Sequence, residues 1–552
     1  MRLQVGNSLE ADVLVIGGGG AGLRAAVAAA ETGARVLLLS DSRVGYGSLT
    51  AVAGGAFASV APGRRDNVAH GWRRHFEDTV SGGRFLCDQE LALTMTRDVP
   101  DEVSYLERHG ATYATPDTAP WLRHSVDPGH HAAVMFYGRN AIGTDITVPL
   151  RTYAESLGVT LLDGTMVTGL ILEEGRVLGA LTLTRDGAVQ AIAARATVLA
   201  TGGMGQAYAR TDNTPGATGD GYALAYKAGL PLRDMEYMQF YPAGLGSGVP
   251  GLFYEILVAG TGGRLFNSSA EDVLQLHGLD DPLSMTRDVL SIAIMKEVAA
   301  GRGVDGGVQL DLASVPDMTL TEIAPVLPKA ALRGQRTFTV APTAHTHLGG
   351  IVVTPRMETG LDGLYAAGEV VGGVHGANRL SGNAISDILV FGAIAGSQAA
   401  HRAAESTSAL PDSQHARAER DRLQRLLRGG NVDSKSVRTA LKQLMWTKAG
   451  VLRSEESLSV ALKGLSELKA SLRSAGAVDG RGLQHLLKTR NLLLSAELLC
   501  RSALARTESR GAHWRSDYPA EDDDWLRSVV IRRGLAGPDV STRPVSLPHL
   551  QP

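Results

Sequence analysis

Gly17, Gly19 and Gly22 fall within the run Gly-Gly-Gly-Gly-Ala-Gly at 17–22. That spacing suits a dinucleotide: the first glycine makes a sharp turn, the second lets the backbone approach a pyrophosphate, and the third lets a helix pack closely on a strand. Gly20 and Ala21 then begin a helix whose free N–H groups face the phosphates. About 20 residues on, where an acidic residue ordinarily binds ribose hydroxyls, an apolar run ends in Ser40 and Asp41, and either residue suits that role. Another apolar run ends in Ala200-Thr201-Gly202, and this second nucleotide-binding element favours FAD over NAD. His345-Thr-His347 has the alternation of a metal pair, but no acidic or cysteine partner lies nearby in the sequence, so no metal is expected.

Elements of regular structure must hold these groups. Residues 11–40 read as strand, glycine turn, alanine-rich helix and second strand. Residues 159–183 read as alternating strands joined by the turn Glu-Glu-Gly-Arg. From about 412 glycine thins out, and Leu, Ala, Lys and Arg recur at helical spacing, which predicts about three antiparallel helices. A proline-rich tail follows from 537.

Composition narrows the class. The 552 residues are enough for three or four domains at about 150 each. Glycine, 66 of 552, is well above its usual share of about 7% and forms no repeat, so many close backbone approaches are expected. Charge is nearly balanced, 54 Lys+Arg against 57 Asp+Glu, which points away from nucleic acid and anionic membrane surfaces. Two cysteines, Cys87 and Cys500, are too few for a disulfide framework or a four-cysteine cluster. No apolar run reaches the roughly 18 residues of a membrane span, and the first lacks a signal peptide's basic start, so a cytoplasmic protein in a reducing compartment is expected.

Five strings carry a more specific resemblance: ATGDGYALAYKAG at 217–229, DMEYMQFYP at 234–242, HTHLGG at 345–350, GLYAAGEVVGGVHGANRLSGNAISDILVFG at 363–392 and RTESRGAHWRSDYP at 506–519. With the glycine turn, they identify the chain as similar to the flavoproteins of succinate dehydrogenase, fumarate reductase and L-aspartate oxidase. The resemblance implies an α/β fold with a Rossmann-like FAD-binding domain (1–235 and 341–411), an inserted α+β capping domain (236–340) and a C-terminal helical domain (412–536), ending in an extended tail (537–552). It also implies that FAD lies along the first domain. Val167 would pass the adenine, Gly368 and Glu369 would meet ribityl or ribose hydroxyls, and Asp220 would lie near the flavin or form an Asx turn. Asn383, Ala384 and Ile385 would start a helix whose dipole stabilises negative charge on the reduced ring. The loop Gly54-Gly55 would flank the flavin. Counting back from it places Ser48 where succinate dehydrogenases carry their flavin-linking histidine, so FAD is expected to be non-covalent.

For the substrate, the resemblance makes Arg379 a carboxylate-binding arginine and His345 a substrate-binding histidine, with His347 and His375 in support. Two family groups are absent. Tyr241 stands where the family has a histidine, either as a substitute acid or as a core tyrosine bonded to backbone. Ala259 stands where the glycine pair aligns the proton-relay arginine, and Arg264 reads as a surface residue. The expected activity is hydride transfer between FAD and a small carboxylate substrate, by CH–CH oxidation or enoate reduction. The alternatives are amine oxidation as in L-aspartate oxidase, or service as an electron-transfer subunit beside an iron-sulfur partner.

Overall fold

Val13, Leu14 and Val15 of the strand Leu9–Ile16 are fully buried, the pattern of an interior parallel strand covered on both faces. The computed structural model describes residues 2–61, 63, 71–245, 251–406, 413–427 and 432–552. In the main sheet Leu9–Ile16 lies between two parallel neighbours, Val36–Leu39 and Ala188–Leu199. Thr160–Leu162 extends the sheet beyond Val36–Leu39, and Leu364–Ala366 runs parallel to the end of Ala188–Leu199. The alternating segment folds as the hairpin Thr165–Glu173 and Arg176–Thr184, antiparallel to the start of Ala188–Leu199. The carboxyl ends of these adjacent parallel strands lead into Gly17, Ser40, Ala200 and Ala367, where a crevice forms in open α/β sheets.

Two helices cover one face, Gly20–Glu31 and Asn383–Glu405. They pack closely because small residues meet at the crossing: a side chain at Gly396 would strike the Ala25 carbonyl, and one at Gly392 would crowd the Ala21 carbonyl. The cap is a four-stranded sheet, in the order Met238–Gly244, Thr337–His347, Val308–Asp311 and Arg264–Phe266, backed by the helix Arg287–Ala299. Its core gathers Leu290, Ile294, Leu310 and Val340.

The C-terminal part contains the helices Ser413–Leu426, Ser434–Lys448, Glu455–Arg473 and Gly480–Ala505, one more than the periodicity predicts. The expected boundary at 411–412 lies outside the described residues. Pro538–Pro544, read from sequence as part of an extended tail, pairs with Arg527–Arg533 in an antiparallel hairpin, which Leu232–Arg233 joins at its edge. Beyond it, the amides of His549 and Leu550 donate to Gln89 Oε1, fixing the chain end to the first domain. Among the described residues no helix is long and apolar enough to cross a membrane.

Candidate active site

One cavity of about 960 Å³ runs from the glycine turn to the cap, at the large end of the usual range for ligand pockets. Gly17, Gly19, Gly20, Ala21, Ser40, Asp41, Ser48, Gly54, Val167, Ala200, Thr201, Gly202, Asp220, Glu369, Ala384 and Ile385 all line it. Gly22, Gly55, Gly368 and Asn383 are not among the lining residues. A side chain at Gly22 would strike the Gly17 carbonyl, so Gly22 works by close packing. Gly55 and Gly368 have φ of +63° and +76°, and side chains there would crowd Ile142 and Ala21, so both shape the backbone behind the cavity. Asn383 is fully buried; its amide bonds His75 Nε2 at 2.9 Å and donates to Thr79 Oγ1 at 3.0 Å.

The remaining features fit a dinucleotide. In the first turn of the helix Gly20–Glu31 the Gly20 amide donates to Thr50 Oγ1 at 3.2 Å and the Leu23 amide to the Gly19 carbonyl at 2.9 Å, and Thr201 Oγ1 is buried at the cavity wall without a partner. Glu369 accepts the His347 amide at 2.9 Å, and burial pushes its carboxyl up to about 7. Asp220 accepts from Thr218 Oγ1 and Asn491 Nδ2, both at 2.7 Å. Asp41 is paired with Lys488 of the helix Gly480–Ala505, so the C-terminal part reaches the cavity wall at this point. Segment 47–54 has no histidine, and its cavity-lining side chains are those of Ser48, Leu49, Thr50, Val52 and Ala53.

At the cap end the strand pairing explains His345. Gln239 pairs with Thr346 and Phe240 with Ala344, leaving His345 as the extra residue of a β-bulge, a device that re-aims a side chain. The segment 211–213 clamps the bulge: Thr211 Oγ1 donates to the Ala344 carbonyl at 2.8 Å and Asn213 Nδ2 to the His345 carbonyl at 2.6 Å. Asp212 lies 2.7 Å from His345 Nδ1, which leaves Nε2 available to a ligand. Burial lowers the His345 pKa despite Asp212, so the neutral ring is favoured. His347 is structural, with ring nitrogens facing the Gly349 and Met235 carbonyls at 2.9 and 3.0 Å. His375 lies at the wall, 3.2 Å from Asp387.

Arg379 lies in the glycine-rich loop before the helix Asn383–Glu405 and is 4% exposed. Gln239 positions it twice, donating to its carbonyl at 2.8 Å and accepting from its Nε at 3.3 Å. The C-terminal Ser-Arg-Gly-Ala-His motif braces the same loop, the Ala512 amide donating to the Ala377 carbonyl at 2.9 Å. Among the described residues no carboxylate forms a salt bridge with Arg379. Burial, and then Arg287, push its pKa down to about 9. A guanidinium that keeps its proton in such surroundings is a strong anion receptor.

Arg287 was missed from sequence. It begins the cap helix Arg287–Ala299, is 7% exposed and lines the cavity. Its Nη2 donates to Glu255 Oε1 at 3.1 Å and to Ser381 Oγ at 3.0 Å, while Nε and Nη1 are buried without partners. Burial opposes its charge, but Glu255 and the phenols of Tyr254 and Tyr241 more than offset that and raise its pKa. Asp127, also near Glu255, has its carboxyl pushed up to about 7 by burial and then by Glu255. The Thr-Arg-Asp setting of Arg287 at 286–288 is an ordinary helix opening, which gives no local sign that the arginine faces inward.

Two expectations at this end change. Ala259 is buried in the cap core and does not line the cavity, so position 259 supplies nothing to a substrate. Arg264 is held by Asp272 outside the cavity. Tyr241 does line it, but burial and then Glu255 raise its phenol pKa, which removes the expectation of an acid with a lowered pKa. Its hydroxyl lies 2.6 Å from Glu255 Oε2 and 2.9 Å from the Leu252 carbonyl. Among the described residues no group of three or more His, Cys, Asp or Glu is placed to hold a metal.

Comparison with known proteins places this geometry. Residues 12–385 match the family described as "FAD binding domain", and residues 438–552 the family described as "Fumarate reductase flavoprotein C-term". The chain is 35% identical to one of the subunits of the fumarate reductase (CoM/CoB) of Methanothermobacter marburgensis over 549 residues, 95% of this chain and 98% of that protein. It is 33% identical to the L-aspartate oxidase of Streptomyces coelicolor over 557 residues, covering 96% of this chain and 92% of that one. A solved structure of a mutant E. coli quinol fumarate reductase superposes with a TM-score of 0.87 at 30% identity, covering 99% of this chain and 98% of that one.

Proposed function

This chain belongs to the family of FAD-dependent fumarate reductase and succinate dehydrogenase flavoproteins, and from that premise we propose that it interconverts a carbon–carbon single and double bond beside a carboxylate of a small molecule. Its class, FAD-dependent oxidoreductase, follows from the family. Bound FAD supplies hydride exchange. The protein's own groups do the rest.

Arg379 holds the substrate carboxylate as a buried cation that forms no salt bridge among the described residues, and His345 Nε2 adds a second contact. Arg287 holds and delivers the proton at the substrate carbon, and Glu255, bonded to its Nη2, restores it. Glu255 also holds Tyr241, so the phenol positions the pair and is not itself the acid. The observation that carries this reading is Arg287: a buried, cavity-lining guanidinium with two unpartnered nitrogens and a carboxylate behind it. It also favours CH–CH chemistry over amine oxidation, which requires no proton delivered to a substrate carbon.

FAD is held without a covalent link, as Ser48 and its neighbours offer no histidine. The relatives named as subunits support a further chain that exchanges electrons with this one, with iron-sulfur clusters as the expected carriers. The test is exchange of substrate protons in deuterated water. Incubation of the oxidised holoprotein with saturated acids, followed by mass analysis, is expected to show deuterium entering at carbon in the wild type and much more slowly in Arg287→Gln; equal exchange in both would remove Arg287 from the reaction.

A further inference from the structure

Lys442 is the one lysine among the described residues that line the cavity, and it comes from the C-terminal helix Ser434–Lys448. Its Nζ donates to Gln206 Oε1 at 3.0 Å, and among the described residues no carboxylate forms a salt bridge with it. Arg438 stands one turn back on the same helix, also without a salt bridge among the described residues. It donates to Thr489 Oγ1 at 3.1 Å and to the His485 carbonyl at 3.3 Å. Two cations spaced four apart on a helix repel each other. Burial pushes the Arg438 pKa down to about 10, and burial and then Arg438 lower that of Lys442. Asp220 offsets part of the Arg438 charge, but its oxygens are already engaged by Thr218 and Asn491. Positive charge gathered at a cavity wall, with no acid paired to it, fits an anionic ligand.

The loop 212–216 places Lys442 within the cavity. Asp212 lies 2.7 Å from His345 Nδ1 at the cap end, while a side chain on Gly216 would begin 3.6 Å from Asp41 Oδ2, near the glycine turn. Lys442 meets the loop between those two points, because the Gln206 that accepts from it donates to the Asn213 carbonyl at 2.7 Å. FAD carries its anionic group, a pyrophosphate, between its adenosine and its flavin. We propose that Lys442 binds the pyrophosphate of FAD, so that the C-terminal helical part supplies a cofactor contact in addition to the glycine turn. A substrate carboxylate is the other anion expected here, and Arg379 and Arg287 already serve it at the cap end. The proposal requires only that FAD binds, and it stands apart from the reaction proposed above.

The test compares the wild-type holoprotein with Lys442→Gln, Lys442→Met and Lys442→Arg. Flavin fluorescence follows FAD release on dilution and rebinding on titration, which gives the Kd without any turnover. Loss of a hydrogen bond to a charged group should raise the Kd about 10- to 100-fold in both neutral variants. Lys442→Arg keeps the charge and should stay within about threefold of the wild type. Added salt should weaken FAD binding less steeply in the neutral variants than in the wild type, a difference that a packing defect does not produce. ADP, which carries a diphosphate but no flavin, should compete with FAD about 10-fold less well in the neutral variants, whereas adenosine should compete equally in all. An unchanged Kd in Lys442→Gln and Lys442→Met overturns the proposal. So does a Kd that rises as much in Lys442→Arg as in the neutral variants, because Lys442 then acts by packing and not by charge.

Discussion

Arg287 Nη2 lies 3.1 Å from Glu255 Oε1, a buried pair joining the first turn of one cap helix to the short helix Tyr254–Leu257. Nε and Nη1 of the same guanidinium are buried without hydrogen-bond partners, and the residue lines the cavity. A charge held ready by one carboxylate, with donors still free, suits a group that binds and protonates.

Replacing Arg287 with glutamine should therefore separate chemistry from cofactor binding. The expected result is a fall in kcat of about 10²–10⁴, the usual contribution of a positioned acid. The flavin spectrum and flavin content should remain those of the wild type. Steady-state kinetics with reduced viologen measures the first, absorbance the second.

Arg379→Gln removes the anion receptor and keeps the bond to Gln239 possible. Loss of a charge-assisted, desolvated contact should raise KM for the acid about 100-fold or more. The rise in apparent Tm on adding the acid should vanish with it. A variant that still shows the wild-type rise would place the carboxylate elsewhere.

Denaturing the holoprotein with acid should release the flavin. Centrifugation is expected to leave a colourless pellet and a yellow supernatant, since segment 47–54 contains no histidine. Yellow protein after washing would require a covalent attachment point elsewhere.

Asp127 gives a pH test. Its folded pKa, pushed up to about 7, lies above the usual carboxylate value, so ionisation costs stability above the folded pKa and nothing below the unfolded one. Asp127→Asn should raise the apparent Tm by about 2 °C or more at pH 8, and by less at pH 5. Equal gains at both pH values would show that the carboxyl is not strained by burial and Glu255.

The sequence made the nucleotide half of the site legible because glycine spacing and strand-end position are local properties. Gly17 to Ala21, Ser40, Ala200 to Gly202 and Glu369 all reach the cavity from loops at the ends of parallel strands. The substrate half depends on pairings between distant segments. His345 projects through a bulge that exists only when 238–244 and 337–347 pair, and Arg379 is positioned by Gln239, 140 residues away in sequence. Arg287 sits on a helix whose residues show little amphipathic pattern, and only the cap's tertiary packing turns its first residue inward. The side chain of Asn383 is likewise fixed by distant residues, His75 and Thr79. The hairpin formed by 538–544 was hidden because its partner strand and its proline-rich composition say nothing of each other.

The proposed chemistry is open to one experiment without any artificial donor. The holoprotein is photoreduced anaerobically and mixed with one equivalent of an unsaturated carboxylic acid, and the flavin spectrum and the acid are followed together. The expected result is full return of the oxidised flavin spectrum with one saturated acid formed per flavin, and slow or absent return in Arg287→Gln. Reduced flavin that persists with every unsaturated acid, yet is reoxidised at once by a dye, would contradict it.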